Sequence, residues 1–358
     1  MAPRSTAQHP PAASLVSTQR LHDCIAEAPR SSSDVRARRK RERVREAEVA
    51  SQVALRTTYD DAPERSESRL RGQIVAGKYR LIEPLARGAM GTIWRAEHVL
   101  LNSLVALKLI DDSAPFGSVA QLRFLREART AARLRGAHVV ELLDYGLDGE
   151  RAYLVMELLA GESLRERLVR RGSLSKRETA RIVTQLARAL ERARRFSIVH
   201  RDLSPSNVFL ERADASISVK LLDFGIAKWL SESDAFAPNL TVSGAILGTP
   251  SYMSPEQLEA SSSLDWRADI WALGVIAFEC LLGHVPFRGD TFPALVVAIC
   301  SRPLPVPSEL GRVPAAFDAW FAKACARSPK ERFGSASEAA LELRRSLGCA
   351  GRPRSRSR

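Results

Sequence analysis

The residues Ile198-Val199-His200-Arg201-Asp202-Leu203-Ser204-Pro205-Ser206-Asn207, followed after a short apolar strand by Leu221-Leu222-Asp223-Phe224-Gly225, decide how this chain is read. Two carboxylates and an amide fall in two loops separated by about one hairpin of chain, a length typical of short connections. Asp202 could take a proton from a hydroxyl. Asn207 and Asp223 offer hard oxygen ligands of the kind Mg²⁺ prefers. Together they suit the movement of a phosphoryl group, provided that another part of the chain holds phosphates.

That part lies upstream. Tyr79-Arg80-Leu81-Ile82 and Ile93-Trp94-Arg95-Ala96 read as two strands around a glycine-bearing turn, Leu85-Ala86-Arg87-Gly88-Ala89-Met90-Gly91. Gly88 and Gly91 would let backbone N–H groups approach phosphates with no Cβ in the way. The turn alone is a frequent pattern. In the next strand, Leu104 to Ile110, alternation places Ala106 and Lys108 on one face and Val105, Leu107 and Leu109 on the other. Ala106 leaves room for a flat ring, and Lys108 supplies a positive charge. A strand-face lysine is ordinarily just solvated, so Lys108 needs a partner. The spacing predicts a helix over 119–135 in which Phe124, Glu127, Ala131 and Leu134 share a face. A glutamate in an apolar stripe costs free energy unless a cation meets it, and Lys108 is the natural candidate. The alternative is an ordinary surface glutamate on an arginine-rich helix.

With these residues in hand, the chain resembles the protein kinases, most nearly the bacterial eukaryotic-type serine/threonine kinases, over about residues 79–347. The resemblance implies a two-lobed α+β fold with ATP in the cleft. The small lobe, about 79–157, is an antiparallel β-sheet with one key helix; the larger lobe, about 160–347, is mainly helical. It implies that Lys108 pairs with Glu127 and orients the α- and β-phosphates, that Asn207 and Asp223 hold Mg²⁺ (or Mn²⁺ in its place), and that Asp202 accepts the proton of a serine or threonine on a protein substrate. Leu85, Ile93, Ala106, Met156, Phe209 and Leu222 would wall the adenine. The hinge Glu157-Leu158-Leu159 would bond its edge, and Glu162 would lie near the ribose. Residues 226–248 correspond to the activation loop, closed by Gly248-Thr249-Pro250-Ser251-Tyr252-Met253-Ser254-Pro255-Glu256. Thr241 and Ser243 fall where related kinases are phosphorylated; a phosphate there would pair with Arg201 and order the loop. Thr249 would help to position the substrate hydroxyl. Asp269 is expected to hold the catalytic-loop backbone and Glu256 to pair with Arg332, both as scaffold.

Two positions depart from the family pattern. Ala86 stands where the first glycine is usual, a mild change because Gly88 and Gly91 remain. Ser204 stands where serine/threonine kinases carry a lysine on the γ-phosphate, and Ser206 offers no replacement charge. Losing one such donor typically costs about 10²–10³ in rate. One hypothesis is therefore an active kinase, with Lys228 or a substrate cation partly offsetting Ser204. The other is a pseudokinase, a nucleotide-binding scaffold that signals by shape.

The rest of the chain sets outer limits. Among 358 residues, 45% are hydrophobic and 27% charged, enough to bury a core. No apolar run of ~18 residues and no signal-like h-region is present, so no membrane span is expected and the cytoplasm is the expected compartment. Cys24, Cys280, Cys300, Cys325 and Cys349 are scattered, which suggests neither a zinc site nor a disulfide framework. The net charge is +13, much of it on the flanks. Residues 1–72 read as a largely disordered basic extension and 348–358 as a basic disordered tail. These flanks could attract anionic partners, making a nucleic-acid or membrane adaptor a third class. They lack interleaved aromatics and any dedicated nucleic-acid module, so plain solvated flanks are preferred. With no sensor or anchor recognisable, a soluble signalling partner is the expected input.

Overall fold

A computed structural model describes residues 70–88, 91–110, 119–213, 216–223, 250–259 and 264–349. The expected α+β architecture is present. The first part is a six-stranded sheet in the order β1-β2-β3-β4-β6-β5, with β1 Ile74–Val75, β2 Tyr79–Gly88, β3 Gly91–His98, β4 Ser103–Ile110, β5 Leu142–Asp148 and β6 Arg151–Glu157. Neighbouring strands pair antiparallel throughout. Alternation along β4 sorts its side chains as the pattern predicts. Val105, Leu107 and Leu109 join Tyr79, Leu81, Trp94, Ala96, Tyr153 and Val155 in one apolar cluster. On the opposite face, Ile110 and Leu154 pack against Phe124 and Ala128 of helix α1, Val119–Ala131.

The second part is built on helices. The long helix α3, Lys176–Arg195, starts at an N-cap Ser175 whose side chain accepts from the Glu178 N–H. It packs with α5, Arg267–Leu282, which is buried over most of its length and closes at Gly283 in the left-handed conformation. One large core joins them to Phe317, Trp320 and Phe321 of α8 (Ala316–Ala324) and to Leu343 of α9 (Ala336–Ser346). No helix among the described residues is long and apolar enough to cross a membrane.

Several boundaries differ from the sequence expectation. The ordered fold starts before Tyr79, because β1 pairs with β2 and Val75 is buried against Tyr79 and Leu81. A two-residue strand is too short to show a periodicity. Helix α1 ends at Ala131 rather than Arg135. Val139 to Tyr145 reads in the sequence as a strand, but the strand begins at Leu142; Val139 instead bridges Leu221 and belongs to the helical core. Gly161-Glu162-Ser163-Leu164 reads in the sequence as the start of a helix, but Gly161–Ser163 is a strand (β7) paired with β8, Val208–Ala213. The helix that follows, α2 (Leu164–Arg171), starts from a capping box of Ser163 and Glu166. β8 in turn pairs with β9, Ser216–Leu221, and the loops before β8 and after β9 both lie at the open end of this hairpin, where Val208 faces Leu221.

Candidate active site

The two loops quoted at the outset meet across the β8–β9 hairpin. The first turns at Pro205–Asn207, where the Asn207 N–H donates to the Ser204 carbonyl at 3.0 Å and the Asn207 carbonyl accepts from the Leu222 N–H at 2.8 Å. This second bond ties the first loop to the residue before Asp223. Lys108 reaches the same place from β4: its Nζ donates to Asp223 Oδ2 at 2.6 Å. The lysine is 8% exposed and therefore needs an anionic partner to remain charged at little cost. Asp223 and Arg201 both lie at positive φ, 43° and 62°, which few residues with a Cβ adopt and which commonly marks a functional loop.

The backbone around Asp202 is held by side chains. Asp269, on the first turn of α5, accepts the His200 N–H at 2.9 Å and the Arg201 N–H at 3.1 Å. Burial pushes the Asp269 carboxyl above its ordinary value, and nearby His200 together with the two N–H donors partly offsets that cost. His200 is fully buried; its Nε2 lies 2.8 Å from the Leu222 carbonyl, and its Nδ1 accepts the Asp202 N–H at 3.3 Å. A carbonyl can only accept, so these contacts assign the ring hydrogen to Nε2. Asn207 Nδ2 donates to the Asp202 carbonyl at 2.7 Å and to its Oδ2 at 3.2 Å. With its nitrogen used there, the Asn207 amide oxygen is left as a ligand atom, and Asp223 keeps Oδ1. Hard oxygens from an amide and a carboxylate suit a divalent cation shared with phosphates.

The residues expected to wall an adenine lie on the strands beside Lys108 and at the β8–β9 hairpin. Register pairs Ile93 with Lys108 and Ala106 with Met156, while Phe209 sits on β8 and Leu222 precedes Asp223. Leu85 is 48% exposed, and Ile93, Ala106, Phe209 and Leu222 are half-buried, leaving apolar surface open on the strands near Lys108. The two glycines differ in kind. At Gly91 (φ 143°) a Cβ would stand 1.9 Å from the Leu109 carbonyl oxygen, so the sheet itself demands glycine. At Gly88, among the described residues, a Cβ would meet only the Gly91 oxygen, at 3.9 Å.

Other expected residues are placed differently or lie outside the described residues. Glu127 is on α1, but its side chain is outside the described residues; so are Phe224, Gly225, Lys228, Thr241, Ser243, Gly248 and Thr249. Glu157, expected to act through its backbone, uses its side chain as well: Oε1 accepts from Lys220 at 2.6 Å and from the Glu141 N–H at 2.8 Å. Leu159 follows two residues after β6 ends, between the two parts of the fold. Glu162 accepts from Arg167 at 2.8 Å and from Arg170 at 2.7 and 2.9 Å. Burial works against its ionisation, but Arg170 and Arg167 outweigh that and hold its carboxyl below the ordinary value. A ribose would therefore compete with two guanidinium groups. Ser204 is buried, and its Oγ has no hydrogen-bond partner among the described residues. The scaffold pair is as expected: Arg332 donates to Glu256 at 2.6 and 2.7 Å.

Comparison with known proteins accords with this geometry. A family model described as the protein kinase domain matches residues 79–339. The chain belongs to the protein kinase domain family. Among curated relatives it is 39% identical over 267 residues to serine/threonine-protein kinase PknD of Mycobacterium tuberculosis, covering 74% of this chain and 39% of that protein. It is 37% identical to PknH of the same organism over 76% of this chain and 42% of the other, and 35% identical to pkn3 of Myxococcus xanthus over 76% and 50%. The chain thus spans half or less of the length of these relatives. The solved PknI kinase domain of Mycobacterium tuberculosis superposes with a TM-score of 0.61 at 28% identity, covering 77% of this chain and 98% of that one.

Sequence reasoning missed three members of this kinase site. His200 is one; its only sequence signal is its place after the apolar pair Ile198-Val199 and two residues before Asp202. The Glu157–Lys220 pair joins residues 63 apart and carries no local pattern. Gln257 donates to the Arg201 carbonyl at 2.8 Å. Its sequence signal is the capping box Ser254-Pro255-Glu256-Gln257.

Proposed function

We propose that this kinase domain transfers the γ-phosphoryl group of ATP to a serine or threonine hydroxyl of a protein, through Asp202 as base. The observation that carries this is the 2.6 Å pair of Lys108 with Asp223, which brings a cation of the small lobe onto the loop beside Asp202 and Asn207. In this reading Asn207 and Asp223 hold Mg²⁺ or Mn²⁺, which supplies charge neutralisation for the phosphates when bound. Lys108 moves onto the α- and β-phosphates while remaining within reach of a carboxylate. Asp202, its carboxylate steadied by Asn207, accepts the proton of the incoming hydroxyl. Hinge residues 157–159 take the adenine edge. Thr241, Ser243, Arg201 and Thr249 govern activation and substrate placement, and a soluble signalling partner supplies the input in the cytoplasm.

Ser204 sets the reading's weak point. A neutral hydroxyl, it brings no charge to the γ-phosphate, so transfer is expected to be slower than with a lysine by about 10²–10³. The test is transfer of labelled γ-phosphate from ATP to a Ser/Thr-containing protein, with Asp202→Asn as control. Signal in the wild type that disappears in Asp202→Asn supports an enzyme. Nucleotide binding with equal background signal from both would leave the pseudokinase reading instead.

A further inference from the structure

The N–H and the carbonyl of Arg201 and of Asp202 each meet a side chain. The Arg201 N–H is taken by Asp269, the Asp202 N–H by His200 and the Asp202 carbonyl by Asn207. The fourth group, the Arg201 carbonyl, accepts from Gln257 Nε2 at 2.8 Å. Gln257 is buried, on the short helix Pro255–Leu258 that directly follows the segment Pro250–Tyr252. Its amide is fixed from the far end too: Oε1 accepts from the Ser254 N–H at 3.1 Å and from Ser254 Oγ at 3.2 Å. Only an oxygen can accept from that N–H and only a nitrogen can donate to that carbonyl, so the contacts settle the amide's orientation.

We propose that Gln257 is a positioning residue for Asp202, locking the catalytic loop to the turn Ser254–Leu258. This rests on the kinase reading and adds a residue to it. Arg201 is held at φ 62°, a conformation that a residue with a Cβ keeps only when its surroundings over-determine it. Without Gln257 the part-buried Arg201 carbonyl loses this donor, and the peptide between Arg201 and Asp202 gains freedom to rotate. That rotation carries the base away from the hydroxyl it serves. Asp269, His200 and Asn207 still hold the neighbouring groups, so the loop is displaced without unfolding. Lys108 and Asp223 hold each other and do not involve Gln257, so nucleotide binding is left intact. The same link makes the base report on whether the 254–258 turn is seated.

The experiment uses the full chain with Gln257→Met, which keeps length and bulk but removes the donor. It reads initial rates of γ-phosphoryl transfer, the dissociation constant of a fluorescent ATP analogue, and amide hydrogen exchange across 200–203. The expected result is kcat lower by about tenfold or more, faster exchange, and KM and Kd for nucleotide within about twofold. Gln257→Glu, which sets a carboxylate against the carbonyl, is expected to lose at least as much. Unchanged kcat with unchanged exchange overturns the proposal, as does a loss confined to nucleotide affinity. If the wild type itself transfers no phosphate, the kinase reading fails and exchange alone decides this one. Should Gln257→Met fail to fold, Ser254→Ala, which frees one side of the amide, is expected to lower kcat with nucleotide binding retained; unchanged kcat there overturns the proposal as well.

Discussion

Replacing Gly91 by alanine should unsettle the small lobe, whereas the same change at Gly88 should not. At Gly91 the new Cβ would lie 1.9 Å from the Leu109 carbonyl oxygen and 3.0 Å from the Ile110 Cα. Ordinary carbon contacts sit near 3.5–4 Å, so the end of β3 has to move away from β4 by roughly 1.5 Å. That breaks the register pair Gly91↔Ile110 and loosens the burial of Ile110 against Phe124. One or two ladder hydrogen bonds at about 1 kcal/mol each, and about 1–2 kcal/mol for the strained φ, give roughly 2–4 kcal/mol. Gly88→Ala meets no atom of the described residues closer than 3.9 Å, so its folding cost should stay within about 0.5 kcal/mol. If the Gly88 backbone faces phosphate, its added methyl should raise the KM for ATP instead. Urea denaturation followed by tryptophan fluorescence reads the first effect, since Trp94 is fully buried on β3 beside the site. A Gly91→Ala chain that unfolds at the wild-type midpoint would refute the steric reasoning.

Three further outcomes follow from the geometry. Arg332→Ala strands the buried Glu256 carboxylate and frees the Ala326, Arg267 and Arg327 carbonyls, so unfolding free energy should fall by about 3–5 kcal/mol; a change under about 1 kcal/mol in a denaturant titration would count against it. Glu162 titrates lower in the fold than out of it, so its contribution is present at neutral pH and is lost as pH falls through the folded value, below the ordinary carboxylate range. Glu162→Gln should therefore shrink the stability difference between about pH 7 and about pH 3, and an unaltered pH profile would contradict the arginine pairing. Asp269→Ala removes both acceptors of the His200 and Arg201 N–H groups; phosphoryl transfer should drop at least tenfold while nucleotide affinity changes little, as read by transfer kinetics beside direct binding.

How much of this was legible beforehand depends on the range of each interaction. Alternation in β4 located both the core face and Lys108, because a strand's period is local. Ser175 and Gly283 mark helix ends by chemistry that a few neighbouring residues fix. The pairing of Lys108 with Asp223 was not expected: the sequence pointed to Glu127 as the partner of Lys108, and Asp223 lies 115 positions away with no local pattern to link them. Glu162 shows the opposite failure: a carboxylate assigned to a ligand is held by Arg167 and Arg170, one and two turns along the adjoining helix.

From the polypeptide's order of residues alone came the two loops, the candidate base and the candidate metal ligands. These rest on residue type and short spacing, which a chain displays before it folds. The α+β division came through the family resemblance those residues carry. Only the packed molecule decided which atoms hold the peptide before Asp202, why Gly91 cannot bear a side chain, and that Glu157 is tied to Lys220. These depend on buried groups finding partners across long stretches of chain. That pairing is settled by the cost of leaving a polar atom dry and unmatched, and no local pattern records it.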